Sequence, residues 1–300
     1  SATADSGLTV SFSTSTSGVC TVSGSTLTFI TAGTCTINAD QAGNAAYNAA
    51  PQVSQTFSVN AIVPAAPTIG TATAGNTQAS VSFTAPASNG GATITSYTVT
   101  SNPGDFTGTG TGSPITVTGL TNGVSYTFTV TATNTAGTGA ASAASNSITP
   151  AAPQTITFAN PGAQNFGTTP TLTATSDSGL TPTFTSSTTG VCTITSGGAL
   201  TFVTAGTCTI NADQAGDSSY LPATQVSRSF TVNPVVPAAP TSPAATAGDT
   251  QASVAFVAPV NTGGSAITSY TVTVNPADVA PVNGAPSPIV ITGLTNGVAY

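Results

Sequence analysis

The sequence predicts an all-β protein built as a tandem array of β-sandwich domains, and three observations lead to this prediction. Thr, Ser, Ala, Gly and Val dominate the 300 residues, and Thr and Val favour strands while Gly favours turns. Apolar residues alternate with Thr or Ser in stretches such as "ASVSF" (79–83), which is the pattern of strands buried on one face. Residues 32–43, "AGTCTINADQAG", also return unchanged at 205–216, and such self-similarity is typical of repeated domains.

The repeat extends beyond this peptide and divides the chain into four segments. "ITSYTVT" stands at 94–100 and 267–273, for example, and "TGLTNGV" stands at 118–124 and 292–298. Proline-rich stretches separate the segments, and because proline lacks an amide donor they predict short extended connectors. We expect one sandwich domain in each segment, and we name them the first A segment (1–60), the first B segment (61–150), the second A segment (151–234) and the second B segment (235–300).

The two terminal segments are expected to be truncated domains. The second A segment begins with residues that have no equivalent in the first A segment. The second B segment stops at Tyr300, which corresponds to Tyr126 in the first. The sequence therefore predicts a fragment of a longer array, in which the second B segment is poorly ordered in isolation.

The B segments carry a family resemblance. The pattern "ASVSFTAPASNGGATITSYTVT", followed by "TGLTNGVSYTFTVTATNTAG" with Leu120 six residues before Tyr126, resembles a bacterial fibronectin type III domain. The resemblance covers both B segments almost from end to end. It implies a β-sandwich with a tyrosine corner. Phe83 and Phe256 stand where this family usually has tryptophan, and this difference leaves the expected fold unchanged.

The four cysteines predict one disulfide in each A segment, Cys20 with Cys35 and Cys192 with Cys208. Alternation places each cysteine on the apolar side of its strand. A crosslink around a loop of this size contributes about 3 kcal/mol to stability in the chain-entropy model. Buried free thiols are the alternative, whereas a reactive thiolate would need a base or a cationic neighbour. Structural disulfides indicate an oxidising compartment, so we expect an extracellular or cell-surface location.

The A segments carry a second resemblance. "SGVCTVSGSTLTFITAGTCTINA" (17–39) resembles the bacterial immunoglobulin-like repeats of large surface proteins. Asp40 and Asp213 are interpreted as turn residues that accept hydrogen bonds from backbone amides. Calcium binding at "DQAGD" (213–217) is the alternative, although Ca²⁺ takes roughly six to eight oxygen ligands and Asn44 replaces the second acid in the first copy.

The charged residues exclude several classes of function. The chain has 8 acidic residues, no His, and one basic residue, Arg228, which is interpreted as a solvated side chain. One cation cannot neutralise a row of phosphates, so no nucleic-acid partner is expected. Without His, neither a Ser-His-Asp arrangement nor a four-ligand zinc site is expected in a segment with two cysteines. We expect no catalytic residue, metal or cofactor.

Two further stretches were weighed for binding functions. The Gly-rich residues 105–113 lack the lysine of a phosphate-binding loop and are interpreted as a flexible hairpin connection. No apolar run approaches the roughly 18 residues of a membrane span. The expected neighbours are therefore other modules of the same chain, with a host or matrix glycan or protein as a further partner.

The sequence thus predicts a non-catalytic spacer or stalk in a large, adhesin-like bacterial surface or secreted protein. One alternative is that the modules bind glycans or proteins through their loops, for which Phe106 and Phe166 are the candidate residues. Another alternative is that they are accessory spacers of a large secreted carbohydrate-active enzyme.

Overall fold

The structure is a computed structural model that describes residues 1–300, and its regular elements are strands without any helix. The all-β prediction is confirmed. The chain forms two compact units, one of residues 1–153 with 217–221 and the other of residues 154–216 with 222–300. No helix with the length and apolar character of a membrane span is present.

The first A segment contains a three-stranded antiparallel sheet and a separate hairpin. The three strands follow the order β1-β4-β5, and β2 and β3 form the hairpin. Alternation along β4 directs Cys35 toward the hairpin, where Cys20 lies opposite Phe29 in the register. The strands are β1 (Ser11–Thr14), β2 (Cys20–Ser23), β3 (Thr26–Phe29), β4 (Gly33–Asp40) and β5 (Val53–Val59).

The first B segment is a sandwich of two antiparallel sheets, with strand orders β10-β7-β6 and β12-β11-β8-β9. Apolar residues alternate with Ser and Thr on each inner strand, so Val81 from one sheet and Val99, Phe128 and Val130 from the other are fully buried. Each contributes about 1.5–3 kcal/mol by leaving water. The strands are β6 (Thr68–Gly75), β7 (Gln78–Thr84), β8 (Ser96–Asn102), β9 (Thr107–Gly110), β10 (Ile115–Thr118), β11 (Thr127–Asn134) and β12 (Gly137–Thr138).

The second A segment repeats the first and adds strands before it. Its main sheet follows the order β14-β20-β19-β16, in which the β14–β20 pair is parallel, and β13-β15 and β17-β18 form two further pairs. The strands are β13 (Ile156–Phe158), β14 (Gln164–Asn165), β15 (Ala174–Ser176), β16 (Thr183–Ser186), β17 (Cys192–Ile194), β18 (Leu200–Phe202), β19 (Gly206–Asp213) and β20 (Val226–Asn233).

The second B segment repeats the early strands of the first B segment and has no equivalent of β11. Its sheets are β21-β22-β25 and the pair β23-β24. Ile289, Ile291 and Leu294 are buried, whereas Val254 and Tyr270 stay partly exposed beside an open cleft. The strands are β21 (Thr241–Gly248), β22 (Gln251–Val257), β23 (Tyr270–Val272), β24 (Val282–Gly284) and β25 (Ile289–Thr292).

Candidate functional site

The cysteines lie where strands from two sheets meet in the A segments. Cys20 is bonded to Cys35 with a Cα–Cα distance of 5.8 Å, and Cys192 is bonded to Cys208 with a Cα–Cα distance of 5.7 Å. All four are fully buried, and the chain has no free cysteine. Each bond joins the hairpin to the main sheet, so it fixes the two layers of the segment to each other.

A threonine beside each disulfide ties the loop before the first cysteine to the central strand. Thr16 Oγ1 accepts a hydrogen bond from the Thr36 amide at 2.8 Å, and it lies 3.5 Å from Cys20 Sγ. Thr188 Oγ1 accepts from the Thr209 amide at the same distance in the second A segment. The sequence interpretation missed this bond. The signal was present in the recurrence of Thr four residues before the cysteine.

The two repeated aspartates do not form the backbone turn expected of them. Asp40 and Asp213 are the last residues of β4 and β19. Asp40 Oδ1 accepts a hydrogen bond from Gln52 Nε2 at 2.8 Å, and Asp213 Oδ1 accepts from Gln225 Nε2 at 2.7 Å. The interpretation as Asx turns was wrong because these residues remain paired within the sheet, so the carboxylates face side chains across it.

The turn is made four residues later. Asn44 Oδ1 accepts hydrogen bonds from the amides of Ala46 and Tyr47 at 2.8 and 3.0 Å. Asp217 Oδ1 accepts from Ser219 and Tyr220 in the same way. Since Asn and Asp perform this role equally well, the Asn-for-Asp difference between copies needs no metal to explain it. The structure has no group of three or more Cys and Asp side chains placed to hold a metal ion.

One carboxylate has a shifted pKa. Asp177 accepts hydrogen bonds from the Thr155 amide at 2.9 Å and from Thr155 Oγ1 at 2.8 Å. The backbone bond from Thr155, followed by its side-chain bond, lowers the pKa of Asp177, because both bonds favour the ionised form. The exposed carboxylate ties the residue before β13 to the residue after β15.

The B segments contain the tyrosine corner that the resemblance implied. Tyr126 Oη accepts a hydrogen bond from the Thr121 amide at 3.1 Å, and Leu120 and Tyr126 are both buried. Tyr300 makes the same bond to the Thr295 amide at 3.1 Å and also donates to Asp278 Oδ2 at 2.8 Å. The tyrosine ring thus closes the core beneath the loop that leads into β11.

The candidate loop aromatics pack against the cores. Phe106 is partly buried against the first B core, with its ring centroid 6.2 Å from that of Tyr126. Phe166 is partly buried against the core of the second A segment. Both rings therefore take part in core packing. The Gly-rich stretch that follows Phe106 is also not a flexible connection, because residues 107–110 form β9 and pair with β8.

Arg228 differs from its sequence interpretation as well. Its Nε donates to the Phe158 carbonyl at 2.9 Å, and it is only partly exposed. It therefore braces β13 against β20. Gln55 occupies the equivalent position in the first A segment, where β13 has no counterpart. The only basic side chain of the sequence therefore makes a structural contact.

Paired antiparallel layers, short loops and a tyrosine corner define the class of the first B segment as an immunoglobulin-like β-sandwich module. Residues 65–148 match the family model of the fibronectin type III domain, so the chain contains one such domain. Domains of this family typically act as structural spacers or binding modules in multi-domain proteins and are generally non-catalytic. No match was found among curated proteins.

Three solved structures of multi-domain chains are similar to this chain. Domains A168-A170 from titin are 22% identical over 47% of this chain and 53% of that chain, with a TM-score of 0.30. The chicken CNTN1 FN1-FN3 domains are 15% identical over 77% of this chain and 89% of that chain, with a TM-score of 0.28. Titin kinase with its flanking domains is 15% identical over 52% of this chain and 31% of that chain, with a TM-score of 0.27. The chain thus spans about half the length of the titin A168-A170 structure.

Proposed function

We propose that this chain is a non-catalytic spacer, a stalk segment of a large secreted or cell-surface bacterial repeat protein of adhesin type. The proposal rests mainly on where the cysteine, aromatic and aliphatic side chains lie. The four cysteines are held in two buried disulfides, and the largest buried cluster of aromatic and aliphatic residues fills the sandwich of the first B segment. These side chains hold the layers of the segments together, which supports a structural role.

The repeated order of segments supports a stalk. We propose four domains with the bounds 1–60, 61–150, 151–234 and 235–300, in which immunoglobulin-like and fibronectin type III sandwiches alternate. In an array where each module mainly contacts its neighbours, length grows with copy number. The two disulfides favour an extracellular location, and the resemblance of both kinds of segment to bacterial surface repeats favours a bacterial source.

A cell-surface assay tests the spacer function. An epitope is fused before residue 1 and a membrane anchor after residue 300, and a second version carries one additional copy of residues 61–233. The height of the epitope above the cell surface should increase with the additional copy, because folded modules add a fixed length. A Gly/Ser linker of the same number of residues is the control, and it should add less height because a flexible chain grows only with the square root of its length. Equal heights for the folded and flexible versions would contradict the proposal.

Loop-mediated binding is the alternative that one observation favours. Tyr47 lies on the turn after β4 and is 53% exposed. A glycan array and a matrix-protein panel with the full chain decide between the two functions. Saturable binding that is lost in Tyr47→Ser would identify the chain as a binding module. The absence of binding to every member of the panel would support the spacer function.

A further inference from the structure

Both B segments contain a Gly-Gly turn with a backbone conformation that glycine adopts more readily than other residues. Gly90 and Gly91 have φ values of +71° and +81°, and Gly263 and Gly264 have φ values of +74° and +86°. Consecutive positive φ values suit glycine because it has no Cβ. The sequence interpretation treated this pair only as a turn between strands, and the structure gives it a second role.

In the first unit, the turn binds both the connector and the A segment. The Ile62 amide donates to the Gly90 carbonyl at 2.9 Å, and the Ala32 amide donates to the Gly91 carbonyl at 2.7 Å. Asn134 Nδ2 donates to the carbonyl of Ile62 at 2.8 Å and is buried. Ile62 belongs to the connector, whereas Ala32 follows β3 of the first A segment. One turn therefore holds two successive segments together through backbone bonds.

The second unit repeats this arrangement. The Val235 amide donates to the Gly263 carbonyl at 2.9 Å, and the Ala205 amide donates to the Gly264 carbonyl at 2.8 Å. A Cβ on Gly264 would lie 2.5 Å from the ring of Phe166 in the second A segment. A Cβ on Gly263 would overlap the Val235 carbonyl, just as one on Gly90 would overlap the Ile62 carbonyl. The same two contacts thus occur twice in one chain.

The A side of the contact is firmly anchored. Thr31 Oγ1 donates to the Gly18 carbonyl at 2.9 Å, and Thr204 Oγ1 donates to the Gly190 carbonyl at 3.1 Å. These bonds fix the loop that ends in Ala32 or Ala205 to the turn before each hairpin. A motion of the B turn would therefore have to break the contact, because the loop cannot follow it freely.

The most exposed connector side chains contribute little to the joint. Ile62 is 68% exposed and Val236 is 88% exposed, although both are apolar connector residues. In both units a connector amide bonds to the Gly-Gly turn, and in the first unit Pro64 and Pro67 are also buried. Backbone groups are common to all residues, so the connectors can differ in sequence. They read "NAIVPAAP" (60–67) and "NPVVPAAP" (233–240), while the Gly-Gly pair is the same in both B segments.

We propose that the Gly-Gly turn of each B segment is a docking surface for the loop at Ala32 or Ala205, and that it makes each A–B pair one rigid body. The inference rests on the proposed spacer function and specifies its mechanical unit. Within each unit the connector is then a fixed joint, and bending between its A and B segments is suppressed.

The double variant Gly90→Ala with Gly263→Ala tests this in the full chain. Residual dipolar couplings of the wild-type protein from β1–β5 and β6–β11 should fit one alignment tensor, as should those from β16–β20 and β21–β25. In the variant, each pair of segments should require two tensors of different magnitude. The Ala32 and Ala205 amides should exchange about tenfold faster, the change expected from losing one backbone hydrogen bond.

The matched control is Gly112→Ala with Gly197→Ala. Both glycines lie in turns where an added Cβ has no neighbour within 4 Å and φ is not positive. This variant should behave as the wild type. Protection of the Val99 and Thr121 amides reports whether the first B segment remains folded in each variant.

A second variant covers the case in which the glycine changes unfold the B segments. Ala32→Pro with Ala205→Pro removes the donors on the A side and leaves the sequence of the Gly-Gly turn unchanged, and it should also separate the tensors. Separate tensors in the wild-type protein, or one shared tensor in this proline variant, would overturn the proposal. Either result would refute the rigid joint even if the cell-surface assay supported the spacer function. A positive glycan array, in contrast, would refute the spacer function and leave the rigid joint untouched.

Discussion

The two A segments share a central strand of identical sequence and the same disulfide, yet they bury their side chains very differently. Phe29 is 57% exposed in the first A segment, whereas its equivalent Phe202 is 8% exposed in the second. Phe57 and Phe230 differ in the same direction, at 38% and 6%. The disulfides are fully buried in both. The paired strands and the disulfide therefore form in both A segments, whereas a closed core forms only in the second.

The strands that only the second A segment contains explain the difference. Phe158 on β13 packs edge-on against Phe184 at a centroid distance of 5.4 Å, and it is buried with Ile156 and Leu172. These residues form one cluster with the disulfide and Phe202. The comparison shows that the hairpin and disulfide set the layers in place, whereas β13 and its neighbours exclude water from the core.

The largest effect is expected from emptying the closed core. Phe202→Ala should destabilise the second A segment by about 3–5 kcal/mol, as for other buried aromatic deletions. Phe29→Ala is its matched control and should cost less than about 1 kcal/mol, because its ring is largely exposed already. Hydrogen exchange of the β19 and β4 amides in increasing urea measures each segment separately. Equal losses of stability in Phe202→Ala and Phe29→Ala would contradict the difference between the two cores.

Removing the disulfides should sharpen the comparison. The loops close at sequence separations of 15 and 16, so losing either bond should cost about 3 kcal/mol through the unfolded state. Cys20→Ala with Cys35→Ala should nevertheless unfold the first A segment, while Cys192→Ala with Cys208→Ala leaves the second folded. The reason is the larger buried core of the second. Near-native far-UV circular dichroism and β4 amide protection in the first variant would argue against this.

A smaller effect is expected from Arg228. Arg228→Gln places the residue of the first A segment into the second and removes the bond to the Phe158 carbonyl. The expected loss is about 1 kcal/mol, because the bond is charge-assisted but partly exposed. The measurement is exchange of the β13 and β20 amides, and Gln55→Arg is the reciprocal control, which should leave stability unchanged. A stabilised first A segment would contradict the role given to β13.

The smallest effect is a pH dependence of the second A segment. The bonds from Thr155 lower the pKa of Asp177 in the folded state. The stabilisation is therefore present above the ordinary aspartate pKa of about 4 and is lost as the pH falls through the lower folded value. Titration by NMR should show this carboxyl protonating below its ordinary range, and Thr155→Val should move the pKa upward. An unchanged pKa in Thr155→Val would refute the contribution of the hydroxyl, since this variant retains the Thr155 amide.

Periodicity made the strands predictable, because a period of two is a property of neighbouring residues. Alternation in 79–83 and 126–132 corresponds to β7 and to β11 with its preceding corner residue. The tyrosine corner could also be predicted, since Leu120 and Tyr126 lie within six residues of each other.

The failures concern contacts that depend on distant segments. Arg228 looked solvated because its partner, the carbonyl of Phe158, lies 70 residues away. Asp40 was wrongly assigned to a turn because its carboxylate accepts a hydrogen bond from Gln52, which lies just before the next strand. Gly91 looked like an ordinary turn residue, since its contact with Ala32 becomes visible only once two segments are folded together. Composition and spacing contain little information about such pairings.

The identity of "GTCTINAD" in β4 and β19 has a consequence for how the chain reaches its native state. Because the two strands are identical, we expect each to be able to pair with the partner strands of the other, which would allow a non-native Cys20–Cys208 bond during folding. Tandem proteins with near-identical neighbours are prone to such misassembly. Residues 41–205 lie between the two strands in sequence, and their folding as units during synthesis should favour pairing within each copy. The separation of the two identical strands along the chain should thus also favour the native disulfides during synthesis.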